Sequence, residues 1–322
     1  MTEGVRSLVK REEFFLNAED GTKIITQSWT GNASQKPKAL VQIAHGMAEH
    51  IQRYDSFARK LVSEDIYVFG NDHRGHGKTG EGQGSLGHFA DSNGFEKVVQ
   101  DLYLLTVKMK AQFPNIPFIL FGHSMGSFLA RRYVQLFGHE IKGLILSGTG
   151  GNPGLMGKIG KMVAKREINK HGKTRPSDTM NKLTFGGYNK KFKPAQTEFD
   201  WLTRDKQVIK EYMEDSRCGQ VCSAQFYYDL LDGIDVINRR ENIEKVPKEL
   251  PIFLLSGDED PVGNFKKGVI ETYHDYEKAG LINLSCKFYS NARHEILNEI
   301  NREEVMDDIL SWIHNQLQKE RV

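Results

Sequence analysis

The 322-residue sequence predicts an α/β protein: a mostly parallel sheet with helices on both faces, interrupted in its second half by a helical insertion. Three observations predict it. Short apolar runs of strand length take turns with stretches whose apolar residues recur three to four apart, the pattern of alternating strands and helices. One such pair, Pro117 to Ala130, breaks at Gly122 and restarts beyond Gly126 with Ser124 between the glycines, which reads as a sharp strand-to-helix turn. After Pro153 the alternation stops for roughly ninety residues and then resumes, a gap more consistent with an inserted element than with a loop.

Taken in order, Glu12 to Thr30 alternates on either side of Glu19-Asp-Gly-Thr22 and reads as an opening antiparallel hairpin. Ala39-Leu-Val-Gln-Ile-Ala44 is a buried strand, Arg53 to Glu64 a helix, Ile66-Tyr-Val-Phe69 a strand, and Phe95 to Gln112 a helix ending just before Pro114. The Ser124 turn with its strand and helix follows, then the strand Gly143-Leu-Ile-Leu146. Strands resume at Pro251-Ile-Phe-Leu-Leu-Ser256. A helix from Asn264 to Ala279, the strand Leu284-Ser-Cys-Lys-Phe-Tyr289 and a helix from Glu299 to Gln318 finish the chain. A sheet domain of residues 1–150 and 246–322 is therefore expected around a mostly helical cap of residues 151–245. In such sheets, ligands bind beyond the carboxyl ends of the strands.

Composition narrows the function. A hydrophobic content of 39% supports a sizeable core, and a formal net charge of +2 is too small to imply a polyanionic partner, so nucleic acid is not expected. Cys218, Cys222 and Cys286 are an odd count without C-x-x-C spacing, which supports neither a disulfide framework nor a zinc ribbon. They read as small buried hydrophobes in a reducing compartment, and no metal site is expected. The first residues lack the apolar core of a secretory signal, and no stretch approaches the ~20 apolar residues of a membrane span, so a cytoplasmic protein is expected.

The glycine-framed turn carries the chemistry. The residues two before and two after its centre must lack a Cβ, because the turn is tight and its neighbours run close to adjacent strands; Gly122 and Gly126 meet that need. Ser124 is left at the tip with its hydroxyl exposed, beside the first N–H groups of a helix, whose positive end favours a developing oxyanion. A serine hydroxyl becomes a nucleophile only when a base takes its proton and an acid orients that base. His294, in Ser290-Asn-Ala-Arg-His294, follows the last strand and so falls at the carboxyl edge of the sheet. His123 sits inside the turn and is expected to point away from Ser124. His45, His50, His73 and His76 belong to early glycine-rich loops. Ser256-Gly-Asp-Glu-Asp-Pro261 leaves the preceding strand and offers Asp258, Glu259 and Asp260 as the acid. An oxyanion hole needs two N–H groups. Met125, just after the nucleophile, supplies one, and Met47, in the loop after the Ala39 to Ala44 strand, supplies the other; Gly46 lets that backbone approach.

Together, His45-Gly-Met-Ala-Glu-His50, Asn71-Asp-His-Arg-Gly-His-Gly77, Gly122-His-Ser-Met-Gly126, Gly257-Asp-Glu-Asp260 and the His294 loop resemble the α/β-hydrolase fold. More narrowly they resemble its monoacylglycerol lipase and lysophospholipase branch, classified with the serine aminopeptidase S33 family. The resemblance covers nearly the whole chain and is weakest in the cap. It implies that the acid is Asp260, that Asp72 and Arg74 brace a turn, and that the protein is a cofactor-free serine hydrolase of acyl esters or amides. Met47 stands where many relatives have a smaller residue, and its side chain is expected to narrow the acyl entrance.

The cap should hold substrate choice. Leu155, Ile159, Met162 and Val163 recur at helical spacing and are expected to border the way to Ser124, while Lys158, Lys161 and Lys165 fall on another face. The lysines read as a solvated basic face, with docking to anionic lipid as the sharper alternative. Phe185, Phe192, Phe199, Trp201, Phe226, Tyr227 and Tyr228 are candidates for an acyl pocket or for the core of the cap. The expected activity is hydrolysis of a monoacylglycerol or lysophospholipid through an acyl-enzyme. Its rivals are a short-chain carboxylesterase, a proline-type aminopeptidase, an acyltransferase and, outside enzymes, a ligand receptor built on the same fold.

Overall fold

The computed structural model describes residues 9–32 and 36–319. Its strands are β1 (Lys10–Asn17), β2 (Lys23–Thr30), β3 (Ala39–Ala44), β4 (Ile66–Asn71), β5 (Phe118–His123), β6 (Gly143–Ser147), β7 (Ile252–Gly257) and β8 (Leu284–Tyr289). They form one 8-stranded sheet in the order β1-β2-β4-β3-β5-β6-β7-β8. The opening hairpin pairs Lys10 with Thr30 through Asn17 with Lys23, and β2 then lies antiparallel to β4. Every other pairing is parallel.

The helices are α1 (Asp55–Val62), α2 (Gly77–Gln83), α3 (Gly94–Gln112), α4 (Met125–Phe137), α5 (Gly154–His171), α6 (Asp178–Phe185), α7 (Lys206–Glu214), α8 (Ala224–Ile237), α9 (Arg240–Ile243), α10 (Lys267–Lys278) and α11 (Arg302–Lys319). Strands covered on both faces need apolar side chains on both, which is why β3 to β7 read as continuous apolar runs and are buried throughout. Successive residues serve opposite layers. Leu40, Leu120, Leu144 and Leu254 pack with Leu102 of α3, Leu129 of α4 and Val269 of α10. Val41, Phe121, Ile145 and Leu255 pack with Phe57 of α1 and Ile309 of α11. Each such side chain contributes about 1.5–3 kcal/mol by leaving water.

Helix boundaries depart from the sequence reading where the backbone intervenes. The stretch expected to turn helical at Asn264 does so only at Lys267, because Asn264, Phe265 and Lys266 have φ of 48°, 53° and 79°, the left-handed region that cannot propagate a right-handed helix. Helix α2 lies in a glycine-rich stretch that carried no helical signal. Its start is held from outside: Asp72 accepts hydrogen bonds from Lys78 N at 2.8 Å and from Ile51 N at 2.9 Å.

Between β6 and β7 the regular elements among the described residues are helices, with one isolated bridge between Pro176 and Ser223. Helix α8 carries Phe226, Ile234 and Ile237 into the same core as α3 and α4. Helix α5 turns Gly157, Gly160 and Ala164 inward. A Cβ at Gly160 would stand 2.8 Å from Leu231 Cδ1 of α8, so only small residues permit this approach. The apolar stripe expected to border the way to Ser124 is turned outward: Leu155 is 71%, Ile159 40% and Met162 72% exposed, with Val163 alone of the four packed against the core. Nor are the lysines one solvated face. Lys161 is paired with Asp232 at 3.0 Å and Asp235 at 3.5 Å.

Candidate active site

Ser124 is the single residue between β5 and α4, with φ 53° and ψ −122°, a conformation that strains any side chain bearing a Cβ. Its surroundings leave no alternative. A Cβ on Gly122 would lie 2.5 Å from the Gly126 carbonyl oxygen, and one on Gly126 would overlap the carbonyl of Ala44 on β3. The chain must therefore turn here, and the serine hydroxyl is carried out over the carboxyl edge of the sheet.

Two other loops meet it there. Ser124 Oγ lies 2.8 Å from His294 Nε2, and His294 Nδ1 lies 2.9 Å from Asp260 Oδ2. Asp260 and His294 are 0% and 2% exposed. The carboxylate is itself oriented, accepting from Val262 N at 2.8 Å and from Ser256 Oγ at 3.3 Å. Burial pulls the His294 pKa down, but the charge of Asp260 and its hydrogen bond, helped by Glu295 and Glu49, outweigh that and leave it above the ordinary 6.5. The structure thus joins three of the residues singled out in the sequence into one relay. Asp258 takes no part in it: its N–H bonds to the Tyr289 carbonyl, and its side chain makes no bond to His294.

Met47 and Met125 both border the cavity that opens on Ser124. The loop bearing Met47 passes so close that a Cβ at Gly46 would sit 3.2 Å from Ser124 Cβ and 2.7 Å from Glu49 Oε1. That Glu49 oxygen accepts from Gly46 N and from Tyr54 Oη at 2.8 Å. The other Glu49 oxygen accepts from Arg53 at 2.7 Å, and Arg53 grips Glu295 through paired bonds of 2.6 and 2.7 Å. Burial raises the Glu49 pKa, yet Arg53, His123 and the Gly46 and Tyr54 donors lower it further, so it stays a carboxylate. This buried network bolts the Met47 loop to the residue after His294. Sequence reading missed it, since Arg53 and Glu295 are far apart in the chain and neither has a spacing that signals the other.

His45 and His73 are framework. His45 is buried, with Nδ1 2.8 Å from the Gly46 carbonyl and Nε2 accepting from His73 N at 2.9 Å. Arg74 bridges Asp101 and Asp20, as expected for a braced turn. His123 is not turned away from the site as expected. Its Nδ1 lies 3.1 Å from Ser147 Oγ and its ring centroid 4.8 Å from that of His294. Burial and the neighbouring His294 hold its pKa down to about 4, so it stays uncharged.

Over Ser124 opens a cavity of about 810 Å³. Phe128, Phe185, Trp201, Leu230 and Ile234 supply apolar wall, and Asn181, Gln220 and Glu49 polar points. Of the aromatic candidates, Phe185, Phe199, Trp201 and Tyr227 reach the cavity. Phe226 instead packs on Phe89 at 4.4 Å, and Phe192 lies under Arg293.

A strand-to-helix elbow carrying a serine, with a histidine and a carboxylate delivered by the loops after the last two strands, is the arrangement of the α/β-hydrolase class. A family model described as serine aminopeptidase, S33, matches residues 35–301, and the chain belongs to that family. It is 26% identical over 310 residues to a monoacylglycerol lipase of Mycolicibacterium smegmatis, covering 95% of this chain and 98% of that one. It is also 26% identical over 310 residues to the monoglyceride lipase of Mus musculus, covering 92% and 89%. Among solved structures, a thermostable carboxyl esterase from Bacillus coagulans in complex with glycerol superposes with a TM-score of 0.87 at 29% identity, covering 95% of this chain and 99% of that one.

Proposed function

We propose that the protein hydrolyses the ester bond of a monoacylglycerol or lysophospholipid through an acyl-enzyme. The observation that carries this reading is the large, mostly apolar cavity opening directly on Ser124. The similarity to proteins named monoacylglycerol and monoglyceride lipase supports it. Ser124 attacks the ester carbonyl while His294 takes its proton. Asp260 holds the imidazole with Nδ1 protonated and stabilises the imidazolium. The N–H groups of Met47 and Met125 receive the oxyanion, the second of them unpaired because it begins a helix. His294 then protonates the departing glycerol oxygen, and water repeats the sequence on the acyl-enzyme. This chemistry calls on no cofactor.

Residues 151–245 act as the cap in this reading, and their apolar wall receives the acyl chain. The outward stripe Leu155, Met156, Ile159 and Met162, 40–72% exposed and flanked by Lys158 and Lys165, rests on the lipid surface from which substrate arrives. No helix is long and apolar enough to cross a membrane, among the described residues. A cytoplasmic protein that touches membranes at their surface fits both facts.

The test is an acyl series of p-nitrophenyl esters and monoacylglycerols. Each buried methylene contributes about 0.8 kcal/mol, so four more carbons should raise kcat/KM by up to about two orders of magnitude. A maximum at acetyl or butyryl with steady decline beyond would instead assign a short-chain carboxylesterase.

A further inference from the structure

Beside the Met47 loop, three metal-ligating side chains converge that the ester chemistry does not use. His50 closes that loop, and Asp215 and Cys218 lie on the turn after α7. One donor atom from each falls within 4.8 Å of the other two. His50 Nε2 is 2.8 Å from Asp215 Oδ2, while His50 Nδ1 is buried without a partner. The Asp215 side chain is 28% exposed, which leaves a way in from solvent.

We propose that His50, Asp215 and Cys218 form a binding site for a thiophilic divalent cation of the Zn²⁺ class. Imidazole, carboxylate and thiolate are a ligand set suited to zinc, whose bonds of about 2.0–2.3 Å place tetrahedral donors about 3.4–3.6 Å apart. The imidazole and carboxylate atoms therefore part by about half an ångström and the sulfur closes by at most about an ångström, shifts within reach of side-chain rotation. The proton between His50 Nε2 and Asp215 moves to His50 Nδ1, and the cation takes its place. His50 stays neutral with its proton on Nδ1, the Cys218 thiol proton passes to solvent, and water completes the coordination. Asp215 and the Cys218 thiolate then balance the two charges of the cation. Of the cations nearby, Arg53 is already tied to Glu49 and Glu295, and Arg217 lies 3.5 Å from Asp215 Oδ1, the oxygen that does not face His50.

An occupied site fastens two segments that already touch. The Ala48 carbonyl, one residue past Met47, accepts from Gly219 N at 2.9 Å and from Tyr212 Oη at 2.9 Å. The cation adds a third, stronger link between the turn after α7 and the loop beside Ser124. Spacing in the sequence gives no hint of it, because His50 and Asp215 are 165 residues apart.

The test is titration of chelator-treated, full-length protein with Co²⁺ as a spectroscopic stand-in for Zn²⁺, followed by displacement with Zn²⁺. One equivalent of Co²⁺ should bring up thiolate-to-cobalt charge transfer and intense tetrahedral visible bands, with release of one proton. Cys218→Ser should abolish the charge transfer and weaken Zn²⁺ binding at least about 100-fold, Asp215→Asn should weaken it comparably, and Cys222→Ser should change nothing. Circular dichroism without metal checks that each variant is folded, with Cys218→Ala as the second thiol variant. His294→Ala should bind the cation as the parent does. Absence of a thiolate band, its survival in both Cys218 variants, or loss of binding with His294 would overturn the proposal.

Discussion

Replacing Asp260 by asparagine tests the relay at its least exposed member. The amide is isosteric, and its oxygen can keep the bond from Val262 N, 2.8 Å from Asp260 Oδ1. That orientation puts the NH₂ group where Oδ2 now faces His294 Nδ1 at 2.9 Å. A donor there forces the imidazole proton onto Nε2, which then donates toward Ser124 Oγ instead of accepting from it. The expected loss in kcat is ~10⁴-fold, the size measured for the same change in a chymotrypsin-type triad, equivalent to about 5.5 kcal/mol of transition-state stabilisation. Asp258→Asn, outside the relay, should cost less than about 3-fold. The assay is steady-state hydrolysis of a p-nitrophenyl ester near pH 8, with circular dichroism showing both variants folded. A loss below tenfold for Asp260→Asn, or an equal loss for Asp258→Asn, would refute the assignment.

The His294 pKa lies above 6.5 in the folded protein, and attack needs the neutral ring, so kcat/KM should rise with pH through a midpoint above 6.5. A midpoint below that value would contradict the balance in which Asp260 outweighs burial. The same shift favours the protonated folded form, so its contribution to stability is fully present below the ordinary pKa and fades as pH rises through the folded value. For the outer stripe of α5, Leu155→Asp with Met162→Asp should lower turnover on lipid vesicles several-fold and leave a soluble short ester unaffected. Equal rates on vesicles would leave the stripe as exposed surface and nothing more.

The layered fold is legible in the sequence because each central strand is buried on both faces and is therefore apolar along most of its length, with polar exceptions such as Gln42 satisfied by internal hydrogen bonds. The elbow is legible for a related reason: carbonyls lie 2.0–2.5 Å from where a Cβ on Gly122 or Gly126 would stand, so sterics write directly into residue type. His294 and the acid loop follow from their places after the last strands. What the sequence conceals depends on contacts between distant segments. The Glu49, Arg53 and Glu295 network looks like ordinary surface charge until the fold buries it. The stripe of α5 has the spacing of a buried face, yet Gly157, Gly160 and Ala164 give a closer approach to α8 and take the inner side. The left-handed run at Asn264 to Lys266 carries no glycine to announce it.

The central claim is that Ser124 forms the covalent bond to substrate, and active-site labelling measures it directly. After reaction with a fluorophosphonate probe and proteolysis, mass spectrometry should place one adduct on Ser124. The Ser124→Ala protein, folded as judged by circular dichroism, should take up no label and hydrolyse no ester above background. An adduct on another residue, or near-parental turnover by the alanine variant, would contradict the account.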